Sequence, residues 1–144
     1  MKQRIYYLLV FVFWFALDQI AKVAVCNSME VGDSFAVIPH IAAITYVRNT
    51  GVSFSLFDNS PVFMGIVNVL AAVICAGILV YIVISKRTNG RWYLYSGLAL
   101  IAAGGIGNFA DRMRLGYVID MFEPLFVRFA VFNVADIGLT FGAI

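Results

Sequence analysis

The sequence predicts a membrane all-α protein: four transmembrane helices with a small extracytoplasmic β-sheet between helices 1 and 2. Three observations point there. Of 144 residues, 62% are hydrophobic and only 12% are charged, whereas soluble domains carry about 45–50% apolar and about 25% charged residues. Mean hydropathy is +0.93. The apolar residues are gathered into runs, and a run of about 20 residues in a helix crosses a hydrocarbon core of about 30 Å. The length suits a single domain, residues 1–144, and the composition excludes a disordered chain. A net charge of +2 is too small for a nucleic-acid binder. Two cysteines cannot staple a disulfide scaffold.

The first span is residues 5–26, long enough although it carries Asp18, Gln19 and Lys22. Lys2 and Arg4 ahead of an apolar run are also what a signal peptide would show, and Val23-Ala24-Val25-Cys26 is similar to a lipoprotein cleavage box. Val25 is bulky where a small residue is needed, however, and Asp18 and Lys22 interrupt the apolar core, so the segment reads as an uncleaved span. Residues 27–60 are not helical in pattern. Phe35-Ala36-Val37-Ile38 and residues 41–47 are β-branched and aromatic runs, broken by Pro39 and punctuated by Gly32, Gly51 and Asn59-Ser60-Pro61. They predict a small sheet lying on the outer membrane surface. The second span, 61–85, has no charge and one amide, Asn68. The third, 92–110, is uncharged and leads into an outer loop, 111–130. The fourth apolar stretch, 131–144, has 14 residues and reaches only about 21 Å as a helix. A helix ending in mid-bilayer leaves carbonyls unsatisfied, so a chain truncated within this span is expected.

The basic residues set the orientation. Lys2 and Arg4 precede the first span, Lys86, Arg87 and Arg91 fill the link between the second and third, and all 8 acidic residues lie elsewhere. By the positive-inside rule the N-terminus and that link are cytoplasmic, and 27–60 and 111–130 face outward. Tyr6, Tyr7, Trp92, Tyr93 and Tyr95 lie where an inner aromatic belt belongs. Arg112, Arg114 and Arg128 fall outside and weaken the asymmetry without reversing it.

Ionisable groups within spans cost about 2.5–3.5 kcal/mol each at the bilayer centre, so each asks for a reason. Asp18 and Lys22 stand four apart on one helix face and can pair. A purely structural ion pair and a direct part in a site are equally open readings of them. The run Gly104-Gly105-Ile106-Gly107-Asn108-Phe109-Ala110-Asp111-Arg112 joins glycines that permit close helix contact to Asn108 and Asp111 on one face. Asp111 is expected to be held by adjoining Arg112 in a charge-assisted network. Val118-Ile119-Asp120-Met121 places an acid in a short apolar run of the outer loop. Phe132-Asn133-Val134-Ala135-Asp136 opens the last span, where Asn133 can cap the helix with Asp136 in its first turn. Asn49-Thr50-Gly51 adds an amide and a flexible turn. The topology brings these scattered clusters to one depth at the outer surface, which is a functional-site signature.

Residue type narrows the chemistry. His40, the only histidine, lies in a loop beside Pro39, and no serine has a nucleophile's motif around it. Cys26 closes the first span, whereas Cys75 lies about 21 Å below the outer end of the second, so neither cysteine catalysis nor a disulfide is expected. The Cys/His set of a zinc site is missing, and no metal or other cofactor is expected. Aspartates remain. Two that share one proton activate water, the ionised one as base and the protonated one polarising a scissile carbonyl. Asp120 and Asp136 are the natural pair, since neither has an obvious cationic neighbour. Two other readings stay open, a small proton- or ion-translocating protein and a non-catalytic membrane adaptor. A relay needs polar groups through the full membrane thickness, while the inner half of every span lacks acids; an adaptor needs no convergent carboxylates.

In this order the motifs resemble those of the lipoprotein signal peptidases (signal peptidase II). Asp18-Gln19 with Lys22 is similar to the family's first motif and Arg48-Asn49-Thr50-Gly51-Val52-Ser53-Phe54-Ser55 to its second. The run 104–112 is similar to the third, Val118-Ile119-Asp120 to the fourth, and 132–136 to the fifth. The resemblance spans essentially the whole chain. It implies an intramembrane aspartic endopeptidase of the bacterial cytoplasmic (inner) membrane with its active site near the extracytoplasmic face. Such an enzyme removes signal peptides from diacylglyceryl-modified prolipoproteins, cleaving before the lipidated cysteine. Its implied partners are that precursor and membrane lipid, with no nucleic acid, and its implied inhibitor is the cyclic peptide globomycin, which resembles a blocked substrate. Carried over by motif, the catalytic pair is Asp120 and Asp136. Asn49, Gly51, Asn108, Asp111, Arg112, Asn133 and Ala135 fall on positions that support the pair or hold substrate backbone, and Asp18 and Lys22 on the buried polar pair. Departures are Val52-Ser53 where two alanines are usual, the short C-terminus, and Ile137 after Asp136 where serine is common. That lost hydroxyl would alter the pair's hydrogen bonding and with it the optimal pH.

Overall fold

The computed structural model describes residues 2–51, 61–85 and 90–144. Its elements run α1 (Lys2–Ser28), β1 (Ser34–Ile38), β2 (Ala42–Asn49), α2 (Pro61–Ile84), α3 (Trp92–Leu115), β3 (Val118–Pro124) and α4 (Val134–Ala143). Helices α1, α2 and α3 are long and apolar enough to cross a membrane, and α4 is a shorter apolar helix. The predicted class, four apolar helices with a small sheet, is the observed one. Burial is inverted relative to a soluble bundle. Phe13 (65% exposed) and Val73 (63%) point outward, while Asp18, Lys22, Asp111, Asp120 and Asn133 are buried. Lipid requires the first arrangement and tolerates the second only where the polar groups partner one another. Residues 52–60, with Val52, Ser53, Phe54, Ser55, Asn59 and Ser60, lie outside the described residues, as do Lys86 and Arg87 between the second and third apolar helices.

Several boundaries move from where the sequence puts them. Helix α1 begins at Lys2 and runs to Ser28. Helix α3 continues past residue 110 to Leu115, where Gly116 takes a left-handed φ of 80° and its N–H closes on the Arg112 carbonyl. Glycine pays no Cβ penalty in that conformation, so the helix stops there. The segment expected as an outer loop then becomes β3. It pairs antiparallel with β2, giving a sheet in the order β1-β2-β3. The third strand therefore comes from between α3 and α4 rather than from between α1 and α2. Its partner lies some seventy residues earlier in the chain, which no local pattern announces. The register sets Val47 opposite Asp120 and Asn49 opposite Val118, so the end of β2 reaches the same part of the sheet as Asp120.

Helix α3 is the hub, packing against α1, α2 and α4. Its contact with α4 is a close backbone approach. A Cβ on Gly104 would stand 2.3 Å from the Ala135 carbonyl oxygen, and one on Gly97 2.7 Å from that of Gly142. Trp14 of α1 locks α4 from the other side, its indole N–H donating to the Val134 carbonyl at 3.0 Å. At the far end of the bundle, Tyr7 stacks on Tyr95 at 5.3 Å, and the Arg4 guanidinium donates to the Ser85 carbonyl at 2.7 Å. The start of α1, the end of α2 and the start of α3 thus share the end away from the sheet.

Candidate active site

Asn133 ends the extended segment before α4 and caps that helix. Its Oδ1 accepts the Asp136 N–H at 3.0 Å, and Asp136 Oδ2 accepts the Asn133 N–H at 3.2 Å, a reciprocal capping box. The bland reading of both residues is therefore correct, but it is half the account. The same Asn133 turns its Nδ2 to Asp120 Oδ1 at 2.6 Å and to Asn108 Oδ1 at 3.1 Å. Asn108 Nδ2 donates to Asp136 Oδ1 at 2.9 Å, and Asn49 Nδ2 to Asp120 Oδ2 at 2.9 Å. Three amides from β2, α3 and the α4 cap hold two carboxylates from β3 and α4, one donor on each carboxylate oxygen. A carboxylate oxygen has a second lone pair, so each acid keeps capacity for a further partner. Burial, with the charge of Asp136 adding to it, pushes the Asp120 carboxyl up to about 6 against the lowering effect of its amide donors.

A second network orients the first. Lys22 Nζ lies 2.9 Å from Asp18 Oδ2, 2.8 Å from Asp111 Oδ2 and 3.0 Å from Asn108 Oδ1. With its oxygen taken by Lys22 and Asn133, Asn108 presents its N–H₂ to Asp136. Asp18 Oδ1 accepts the Ala135 N–H at 2.9 Å, one of the first-turn donors that have no intrahelical partner. The Asp18–Lys22 pair is thus a structural ion pair and also the support of the asparagine beside Asp136. The expected Asp111–Arg112 pairing does not form. Consecutive helical residues do not face each other; Arg114, three residues on, reaches Asp111 Oδ1 at 3.2 Å, and Lys22 supplies the second cation. Arg112 instead donates to the Gly51 carbonyl at 2.8 Å, and the Gly51 N–H closes on Asn49 Oδ1 at 3.0 Å. That fixes the turn carrying Asn49.

Two members of this network were not singled out as site residues from sequence. Gln19 donates to Asp18 at 3.0 Å and to Asp111 at 3.3 Å and accepts from Arg114. The spacing of Arg114 from Asp111 is a readable signal, and Gln19 is marked in sequence as a polar residue within the first apolar span and in the motif that begins at Asp18.

The acids open on a cavity of about 890 Å³ lined by Asn49, Asn108, Arg112, Asp120 and Asp136, and by apolar residues of α2, α3 and α4. Ile137 lines it with a side chain that offers no hydrogen bond; the donors to Asp136 are Asn108 and Asn133. Among the described residues, no three His, Cys, Asp or Glu side chains gather as metal ligands would. Cys26 and Cys75 are both free, as their separation predicts.

Fold and site together define a multi-pass membrane protein whose polar chemistry is concentrated where the helix bundle meets a small sheet. The family model for signal peptidase (SPase) II matches residues 10–144. The chain is 42% identical over 129 residues to the lipoprotein signal peptidase of Streptococcus agalactiae serotype Ia, covering 90% of this chain and 80% of that one. It is 36% identical over 138 residues to the lipoprotein signal peptidase of Enterococcus faecalis, covering 96% and 83%. A bacterial membrane enzyme solved by the in meso method at 2.3 Å resolution aligns with a TM-score of 0.84 at 30% identity, over 96% of this chain and 82% of its own. The chain belongs to the signal peptidase II family, and is with it a protease of the multi-pass inner-membrane type.

Proposed function

We propose that this chain is an intramembrane aspartic endopeptidase that removes signal peptides from diacylglyceryl-modified prolipoproteins, cutting before the lipidated cysteine with Asp120 and Asp136 as the catalytic pair. The observation that carries this reading is Asn133, which hydrogen-bonds both carboxylates, the two acids themselves lining one cavity. Two acids so coupled hold one proton between them. Asp120, with its raised affinity for the proton, is the acid, and Asp136 is the base. Water attacks the scissile carbonyl carbon while giving a proton to Asp136, and Asp120 passes its proton to the carbonyl oxygen. On collapse the C–N bond breaks, Asp136 protonates the amine of the departing lipidated cysteine, and the diol returns a proton to Asp120. Both acids end as they began. Asn49 and Asn108 hold the carboxylates, and Arg112 and Gly51 border the substrate backbone.

The depth of the site suits the substrate. Two acyl chains keep the lipidated cysteine at the interface at about 0.8 kcal/mol per buried CH₂, so the acids must work near the membrane surface. Arg4 and Arg91 lie toward the opposite end of the bundle, which by the positive-inside rule makes the site extracytoplasmic. A globomycin-type cyclic peptide would fill the same cavity as a blocked substrate. The test is cleavage in detergent of a diacylglyceryl precursor beside its unlipidated twin. The first alone is cut, and Asp120→Asn and Asp136→Asn each lose at least about 100-fold in rate with an unchanged circular dichroism spectrum. Appreciable cleavage by either variant refutes the pair.

A further inference from the structure

Helix α2 carries a single amide, Asn68, in an otherwise apolar sequence. It lies seven residues beyond Pro61, about 10 Å along the helix, and so at hydrocarbon depth. It is half-buried and lines the same cavity as Asp120 and Asp136, with Ala71 and Cys75 beneath it on the same helix face. No described residue hydrogen-bonds it. The other amides around the acids are committed. Asn49, Asn108 and Asn133 each have oxygen and nitrogen engaged with the acids, with Lys22 or with backbone. An amide left without a partner in lipid is costly, and no neighbouring helix meets this one as a partner.

A peptide bond inside a helix has its carbonyl engaged four residues on, so hydrolysis requires the precursor to unwind around the scissile bond. Unwinding in hydrocarbon exposes N–H and C=O groups that have no water to turn to. A side-chain amide can donate to one and accept from the other. We infer that Asn68 is a substrate-positioning residue whose amide pairs with the unwound backbone of the precursor on the amino-terminal side of the cleavage site. The inference rests on the peptidase reading above.

The test is an ester scan. Lipidated precursor peptides are made with the backbone amide replaced by an ester at one position at a time upstream of the cysteine, and kcat/KM is measured for each. With the unaltered protein, one position costs about tenfold, the value of one hydrogen bond. Asn68→Leu lowers kcat/KM for the all-amide peptide by about the same factor, chiefly through KM, and removes the penalty at that position alone. Leucine suits an apolar helix, so the melting temperature holds. An unchanged kcat/KM in Asn68→Leu, or an ester profile identical in both proteins, overturns the assignment while leaving the peptidase intact. Failure of the unaltered protein to cut the all-amide peptide removes the peptidase reading, and this inference with it.

Discussion

A single side chain, Asn133, closes a helix cap and bridges two acids at once, so local structure and chemistry cannot be separated at that residue. Asp120 shows the energetic counterpart. Its carboxyl titrates near about 6 rather than at the ordinary 3.8, mainly through burial. The folded chain thus holds that proton more tightly than the unfolded chain. Asp120 contributes its full stabilisation below about pH 4 and loses it as pH rises through about 6. The stability of the native chain relative to Asp120→Asn is predicted to fall by on the order of 3 kcal/mol between pH 4 and pH 7; a flat difference in denaturation midpoints across that range would contradict it. Lys22 answers to the opposite logic. Lys22→Met strips the buried Asp18 and Asp111 of their shared cation and should cost about 3–5 kcal/mol, seen as a large drop in melting temperature. Of these partnerships the sequence shows the i,i+4 pair Asp18–Lys22, because both lie on one helix. It does not show Lys22–Asp111, because that distance depends on how α1 is rotated against α3.

The helices meet through glycine, and here element-scale predictions separate cleanly. A Cβ at Gly104 runs into the Ala135 backbone, which cannot swing aside, whereas at Gly65 and Gly77 it meets nothing within 4 Å. Gly104→Ala should destabilise the protein by about 1–3 kcal/mol and lower turnover as well, because α4 carries Asp136. Gly65→Ala and Gly77→Ala should be neutral or stabilising by up to about 1 kcal/mol. Equal melting temperatures for the three variants would show that α3 and α4 do not approach as described. The glycine run signals close contact in sequence, but the partner helix does not appear there. Strand β3 is the harder case. An acid among apolar residues reads as a loop motif until β2 pairs with it and carries Asn49 to Asp120.

Orientation belongs to the molecule as a whole. Cys26 is exposed near the sheet end of α1 and Cys75 is buried, so the native cysteines report topology without engineering. In intact cells a membrane-impermeant maleimide is predicted to label Cys26 and spare Cys75. Labelling that appears only after lysis would place the sheet, and the acids with it, on the cytoplasmic side. The charge distribution that supports the outward orientation is legible along the chain, since Lys2, Arg4 and Arg91 mark one end without reference to any contact.

What the sequence by itself determined was the class, a membrane protein of apolar helices with a small sheet, and the positions along the chain of five polar clusters. Hydropathy, charge and motif spacing are properties of short segments and survive without knowledge of packing. Only the tertiary structure decided who partners whom: Asp111 with Lys22 and Arg114 instead of Arg112, Asp120 on a strand instead of a loop, and Asn108 turned so that its nitrogen meets Asp136. Those outcomes depend on strand register and helix rotation between segments far apart in the chain. They are set by close backbone approach and by the cost of leaving any buried polar atom unpaired in lipid.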